Sequence, residues 1–178
     1  MEKNQNPWTV PVAVDDIPET GLHIEIDASE TVRAELAALT GLRELPRLSA
    51  AFDLARRGAC VRVTGRVSAR VGQTCVVTLE PVESDLEELV DLAFAPQLAA
   101  SLPGKVETTE RRTGKEEPPE PLVGGKLDLG AIATEFLVLG IDPYPRKADA
   151  EFAPVRADDG DARPFEALQA LKKRFGSS

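Results

Sequence analysis

The stretch CVRVTGRVSARV, residues 60–71, decides the fold. Val61, Val63, Val67, Ala69 and Val71 fall on one parity, and Arg62, Thr64, Arg66, Ser68 and Arg70 on the other. Side chains along a strand point alternately to its two faces, so this pattern predicts an antiparallel strand buried on one face and wet on the other. Gly65 lies on the apolar parity, where it marks a bulge or a close approach. The three arginines share the polar face, each about 13 Å from the next.

Working outward, LSAAFDLAR (48–56) reads as a preceding strand, with Gly58 turning the chain. LRELPR (42–47) reads as a connection. After residue 71, Gly72-Gln73 is expected to make a hairpin turn, with TCVVTLEPV (74–82) returning as a strand. In that strand Cys75 would alternate inward with Val77 and Leu79. LEELVDLAF (86–94) is expected to be a further strand, with Leu86, Val90, Leu92 and Phe94 on one side; Glu88 breaks that side, and a helix is the alternative there. At the start, WTVPVAVDDIPETGLHIEIDAS reads as two strands around a polar turn.

Helices frame these strands. Asp27 with Glu30 fits a capping box for a helix carrying Val32, Leu36 and Leu39 and stopped by Gly41. Asp128 can cap a second helix with Leu129, Ile132, Phe136 and Leu139 on one stripe, ended by Pro143 and Pro145. RPFEALQALKKRF (163–175) reads as a third, with Lys172, Lys173 and Arg174 complementing its dipole. Residues 96–121 hold five prolines and mixed charge, the composition of a disordered loop. The expected fold class is α+β: a twisted, partly barrel-like antiparallel sheet of five or six strands with about three helices, in a single domain over residues 1–178.

Composition excludes several functions. The chain has 178 residues, 42% hydrophobic, and a net charge of −9. No apolar run reaches membrane-spanning length, and the N-terminus has no signal-peptide core, so a cytoplasmic location is the default. A negative chain does not coat nucleic acid, and a basic protein suits it better as a partner. There is neither a phosphate-binding glycine loop closed by Lys-Ser/Thr nor a dinucleotide fingerprint. The single histidine, His23, alternates outward with Glu25 and Asp27, as a solvated imidazole does. With Cys60 and Cys75 it makes too few ligands for a zinc site. No catalytic residue, cofactor or metal site is assigned, and no small-molecule substrate is implied.

The arginine row Arg62/Arg66/Arg70 has two readings. It could contact RNA phosphates, or it could be a solvated face paired with the acids of residues 80–91, whose abundance favours pairing.

Three segments together resemble the bacterial YceD family of large ribosomal RNA subunit accumulation proteins. They are VRVTGRVSARV leading into QTCVVTLEPVE, then LDLGAIATEFLVLGIDPYPRK (127–147), and the terminal PFEALQALK. The positions that carry the resemblance are Cys75, Leu79, Glu80, Pro81, Asp128, Leu129, Glu135, Pro143 and Pro145. Many members carry Cys-x-x-Cys at the hairpin, whereas Gly72 stands at the first of those positions here. The resemblance implies a non-enzymatic ribosome-biogenesis factor supporting synthesis or accumulation of 23S ribosomal RNA. Its partner would be a ribosomal RNA precursor or a basic ribosomal or assembly protein. The candidate interaction surface is Arg62, Arg66, Arg70 and Glu135. The alternatives are an RNA-processing enzyme using carboxylates such as Glu80 or Glu135 to hold a metal, and a redox or metal module built on Cys60 and Cys75.

Overall fold

The computed structural model describes residues 6–96 and 119–151. In chain order the strands are β1 (Pro11–Ala13), β2 (Leu22–Asp27), β3 (Glu44–Arg57), β4 (Cys60–Thr74), β5 (Pro81–Pro96), β6 (Glu120–Leu122) and β7 (Lys126–Asp128). The helices among the described residues are α1 (Glu30–Thr40) and α2 (Leu129–Gly140), with a short 3-10 turn at Val14–Asp16. The architecture is α+β. The main sheet has the order β2-β3-β4-β5-β6, and β1 pairs with β7 in a separate ribbon. The first three pairings of the main sheet are antiparallel, and β5 with β6 is parallel. The sheet is therefore mixed and open rather than antiparallel and partly closed.

β4 sits at the centre, and its alternation is realised. Val61, Val63, Val67, Ala69 and Val71 are each at most 2% exposed. Burying a valine of this kind contributes about 1.5–3 kcal/mol. Opposite them lie Leu48, Phe52 and Leu54 of β3, all buried. α1 adds Leu36, and α2 adds Leu129, Ile132, Ala133 and Leu137. Both helices belong to this one core, which leaves the other sheet face to polar side chains.

Gly65 marks close packing, not a bulge. It pairs with Phe52, whose ring lies over it. A Cβ at Gly65 would stand 2.2 Å from the carbonyl oxygen of Ala51 and 2.9 Å from the Phe52 ring. The bulge is elsewhere. Glu44 pairs with Gly72 and Arg47 with Arg70, so β3 holds one extra residue at Leu45–Pro46. That proline makes LRELPR read as a connection, yet β3 begins within it at Glu44. A bulge frees the proline from the ladder hydrogen bond it could not donate.

Gly72 lies within β4, paired to Glu83, and makes no hairpin turn. The strand continues to Thr74, the reversal occupies residues 75–80, and β5 starts at Pro81. β5 is continuous over 81–96, with inward residues buried or half-buried from Leu86 to Phe94, so the segment read as two strands is one turn and one strand.

Helix ends follow local chemistry. Ser29, not Asp27, caps α1, its Oγ accepting from the Val32 N–H at 3.3 Å. Asp27 instead closes β2, paired with Ser49. Gly41 ends α1 in the left-handed conformation. Asp128 caps α2 as expected, accepting from the Ala131 N–H at 3.1 Å. Leu139 departs from the expected stripe: it is 70% exposed, while Leu137 is fully buried. β1 pairs with β7 rather than β2, so the two N-terminal strands form no hairpin. Of the expected loop 96–121, Pro96 belongs to β5 and Glu120–Pro121 to β6. Its residues 97–118, and the expected helix 163–175, lie outside the described residues.

Because β3 backbone fills the space above Gly65, Gly65→Ala is expected to lower stability by about 1–3 kcal/mol. Ser68→Ala, on the polar face of the same strand, is expected to stay within about 0.5 kcal/mol. Urea denaturation of both variants checks the contrast.

Candidate interaction surfaces

On the outer sheet face the three arginines meet acids of β5. Arg62 forms a two-pronged pair with Asp91, Nε to Oδ1 at 2.8 Å and Nη2 to Oδ2 at 2.7 Å. Arg66 reaches Glu87 at 3.2 Å. Arg70 donates to Glu83 at 2.7 and 3.0 Å and lies 3.9 Å from Asp85. One diagonal offset repeats. The residues directly across from the arginines are Ala93, Leu89 and Asp85, and each guanidinium binds the acid two positions earlier. Diagonal partners on twisted antiparallel strands are within reach of long side chains. The Arg62 guanidinium holds the Asp91 carboxyl below its ordinary value. Glu83, with help from Asp85, raises Arg70 above its own. All three pairs are solvent-exposed and screened by water, so they weigh little in stability. Their consequence is electrostatic: the row is compensated. His23 lies on the same face of β2, 2.7 Å from Asp53 and 3.5 Å from Glu25, which raise its pKa.

A second locus joins two of the three segments singled out in the sequence. The turn 75–80 is closed by the Cys75 N–H donating to the Glu80 carbonyl at 2.8 Å and the Leu79 N–H to the Cys75 carbonyl at 3.0 Å. It docks on the chain that follows α2. The Val76 N–H donates to the Pro145 carbonyl at 2.9 Å, Gln73 Nε2 to the Asp142 carbonyl at 2.8 Å, and Lys147 Nζ to Glu80 at 2.6 Å. Cys75, Leu79, Glu80, Pro81, Pro143 and Pro145 thus belong to one locus. Pro145 is buried, while Pro81 and Pro143 are exposed. Gln73 and Lys147 belong to it too and were not singled out in the sequence. The isolated tyrosine of DPYPRK was the one available signal.

Cys75 occupies a turn rather than a strand. It is fully buried, but Leu79, expected inward with it, is 76% exposed, so the inward alternation fails. Leu79 has φ 61°, in the left-handed region, which costs an L-residue about 1–2 kcal/mol. The Cys75 thiol is held in hydrogen bonds. Hydrogen bonds from the Thr78 hydroxyl, and then from the backbone of Thr78 and Lys147, lower its pKa to about 6 against the opposing effect of burial. The Thr78 N–H lies 3.4 Å from Sγ. Cys60 is exposed, and both thiols are free. They stand at opposite ends of β4, roughly 45 Å apart at strand rise. A disulfide needs Cα atoms within about 7 Å, so the two cannot serve one redox or metal module within a chain.

The remaining positions lie elsewhere. Asp128 Oδ1 accepts from the Val10 N–H at 2.8 Å as well as from α2, tying the N-terminal segment to the helix, and Leu129 is wholly buried. Glu135 is exposed on α2 beside Leu139 and Val138, in a shallow apolar cleft of about 320 Å³ that also meets Leu39 of α1. Glu80 and Glu135 are on different loci. Among the described residues no group of three or more His, Cys, Asp or Glu side chains is arranged to hold a metal ion.

The Cys75 thiol generates a pH prediction. Its folded-state pKa lies below the unfolded value of about 8.5. Its stabilising contribution is therefore complete above that value and lost as pH falls through about 6. The stability difference between wild type and Cys75→Ala should widen from pH 6 to pH 9, measured by urea denaturation at fixed ionic strength. A constant difference would contradict the hydrogen-bond assignment.

No helix among the described residues is long and apolar enough to cross a membrane. No curated protein and no solved structure matches the chain. The family model described as large ribosomal RNA subunit accumulation protein YceD matches residues 63–172, more than half of the sequence, from central strand β4 onward. It takes in the Arg66–Glu87 and Arg70–Glu83 pairs of the ladder, but not Arg62, together with the turn 75–80 and the segment 142–147 that holds it, and the chain belongs to the YceD family.

Proposed function

We propose that this chain is a non-enzymatic ribosome-biogenesis factor. It supports the synthesis or accumulation of large-subunit (23S) ribosomal RNA by engaging a basic protein partner, not by coating the RNA. Family membership supports the process, since the family is described by accumulation of that RNA. The observation that carries the mode of action is the diagonal ladder Arg62–Asp91, Arg66–Glu87, Arg70–Glu83. A phosphate approaching any of these arginines must displace a carboxylate already bound to it. It must also approach a chain of net charge −9. Both effects oppose a backbone-binding mode and favour a cationic partner.

The process is tested by depleting the protein in the organism that encodes it. The ratio of large- to small-subunit ribosomal RNA should fall and recover on re-expression; an unchanged ratio would refute the reading. The mode is tested by titrating purified protein with large-subunit RNA across a salt series. Three arginine–phosphate contacts would give a log–log slope of about 2–3. The slope expected here is near zero and unchanged in Arg62/Arg66/Arg70→Ala. A steep slope lost in that variant would refute the protein-mediated mode.

A further inference from the structure

β5 meets a neighbour on its far side only at Phe94–Pro96, where β6 runs beside it. From Val82 to Ala93 no described residue pairs with that edge. Alternate residues of an edge strand direct their N–H and C=O groups outward, a template for an added strand. Twelve residues give about 40 Å of such edge.

The edge borders a groove of about 330 Å³, with Leu86 at its apolar wall. The wall opposite β5 comes from the end of α2 and the chain beyond, where Gly140 lets the helix approach Leu86 and Glu88 closely. Asp85, Glu87, Glu88 and Asp142 line the groove, and Arg146 is the cation among its lining residues. Asp85 and Glu87 already face arginines on the outer side. Glu88, half-buried on the inner side, forms no ion pair among the described residues. From Glu80 to Ala93 the chain carries six acids and no Lys or Arg.

We propose that the free edge of β5, residues 82–93, accepts an extended basic segment of a protein partner as an added strand, with Lys or Arg side chains in the groove over Glu88 and Asp142. Backbone hydrogen bonds supply the register-independent part of the affinity, and the acids select cations at alternate positions. Phosphate backbones are repelled by the same acids, so RNA is not the occupant. The inference rests on the protein-partner reading above and adds the site and the chemistry of the ligand.

The test uses the full chain and a fluorescein-labelled decapeptide of alternating Thr and Lys, with the same peptide N-methylated at every second residue as control. The unmodified peptide should bind at micromolar concentration and protect backbone amides within 82–93 from hydrogen exchange. The N-methylated peptide should bind at least tenfold more weakly. Glu88→Lys should weaken binding at least tenfold, and so should Ser84→Lys, an exposed position on the same edge whose folding is not at risk. A single-stranded RNA dodecamer should not displace the peptide. No binding, equal binding of the N-methylated peptide, full affinity in both variants, protection confined elsewhere, or displacement by RNA would each overturn the inference. The outcome is independent of the ribosomal RNA ratio. Peptide failure with a falling ratio removes the docking site alone; peptide binding with an unchanged ratio removes the biogenesis reading alone.

Discussion

The Phe52 ring lying over Gly65 is the contact on which the rest of the structure depends. It sits at the middle of the β3–β4 ladder, where Phe52 is completely buried and its ring occupies space that a side chain at Gly65 would enter. A slip of one residue would put Phe52 against an arginine or a threonine and turn every valine of β4 to solvent. With the register fixed, the outward residues of β4 must be Arg62, Arg66 and Arg70. The pairing of β5 then decides what those arginines meet.

What they meet determines the functional reading. An unpaired row of arginines at regular spacing would resemble a track for phosphates. Here each guanidinium is matched by a carboxylate at the same diagonal offset, so the face is charged but compensated. Around the corner Glu88 faces the groove, beside a β5 edge that no described residue pairs from Val82 to Ala93. The turn 75–80 and the segment 142–147 brace one end of that groove through Gln73, Pro145 and Lys147. Two segments far apart in sequence thus shape one side of the molecule, and Cys75 is buried within the turn.

The central sheet was legible because its strands are half-buried and alternate strictly. The pairing of the arginines with the acids of 80–91 was legible too, since both sets recur every four residues. Three features were not. Gly72 reads as a turn residue, yet it lies within the strand, paired with Glu83 and beside the Glu44 side chain. Pro46 reads as a breaker, yet a bulge accommodates it. The parallel strand β6 has only three residues, EPL, with no period to detect. At the candidate surface, the docking of 75–80 on 142–147 runs largely through backbone groups, which leave no side-chain signature. The lowered thiol pKa likewise comes from hydrogen bonds that exist only once the turn has closed.

Site-specific photocrosslinking in living cells tests the central claim most directly. A benzoylphenylalanine replaces Ser84 at the β5 edge in one strain and Ser68, between Arg66 and Arg70 on the outer face, in another. The account predicts that the Ser84 probe yields a discrete adduct with a basic protein and that the Ser68 probe yields no RNA adduct. An RNA adduct at Ser68, with none to protein at Ser84, would show that the arginine face is the working surface and contradict the account.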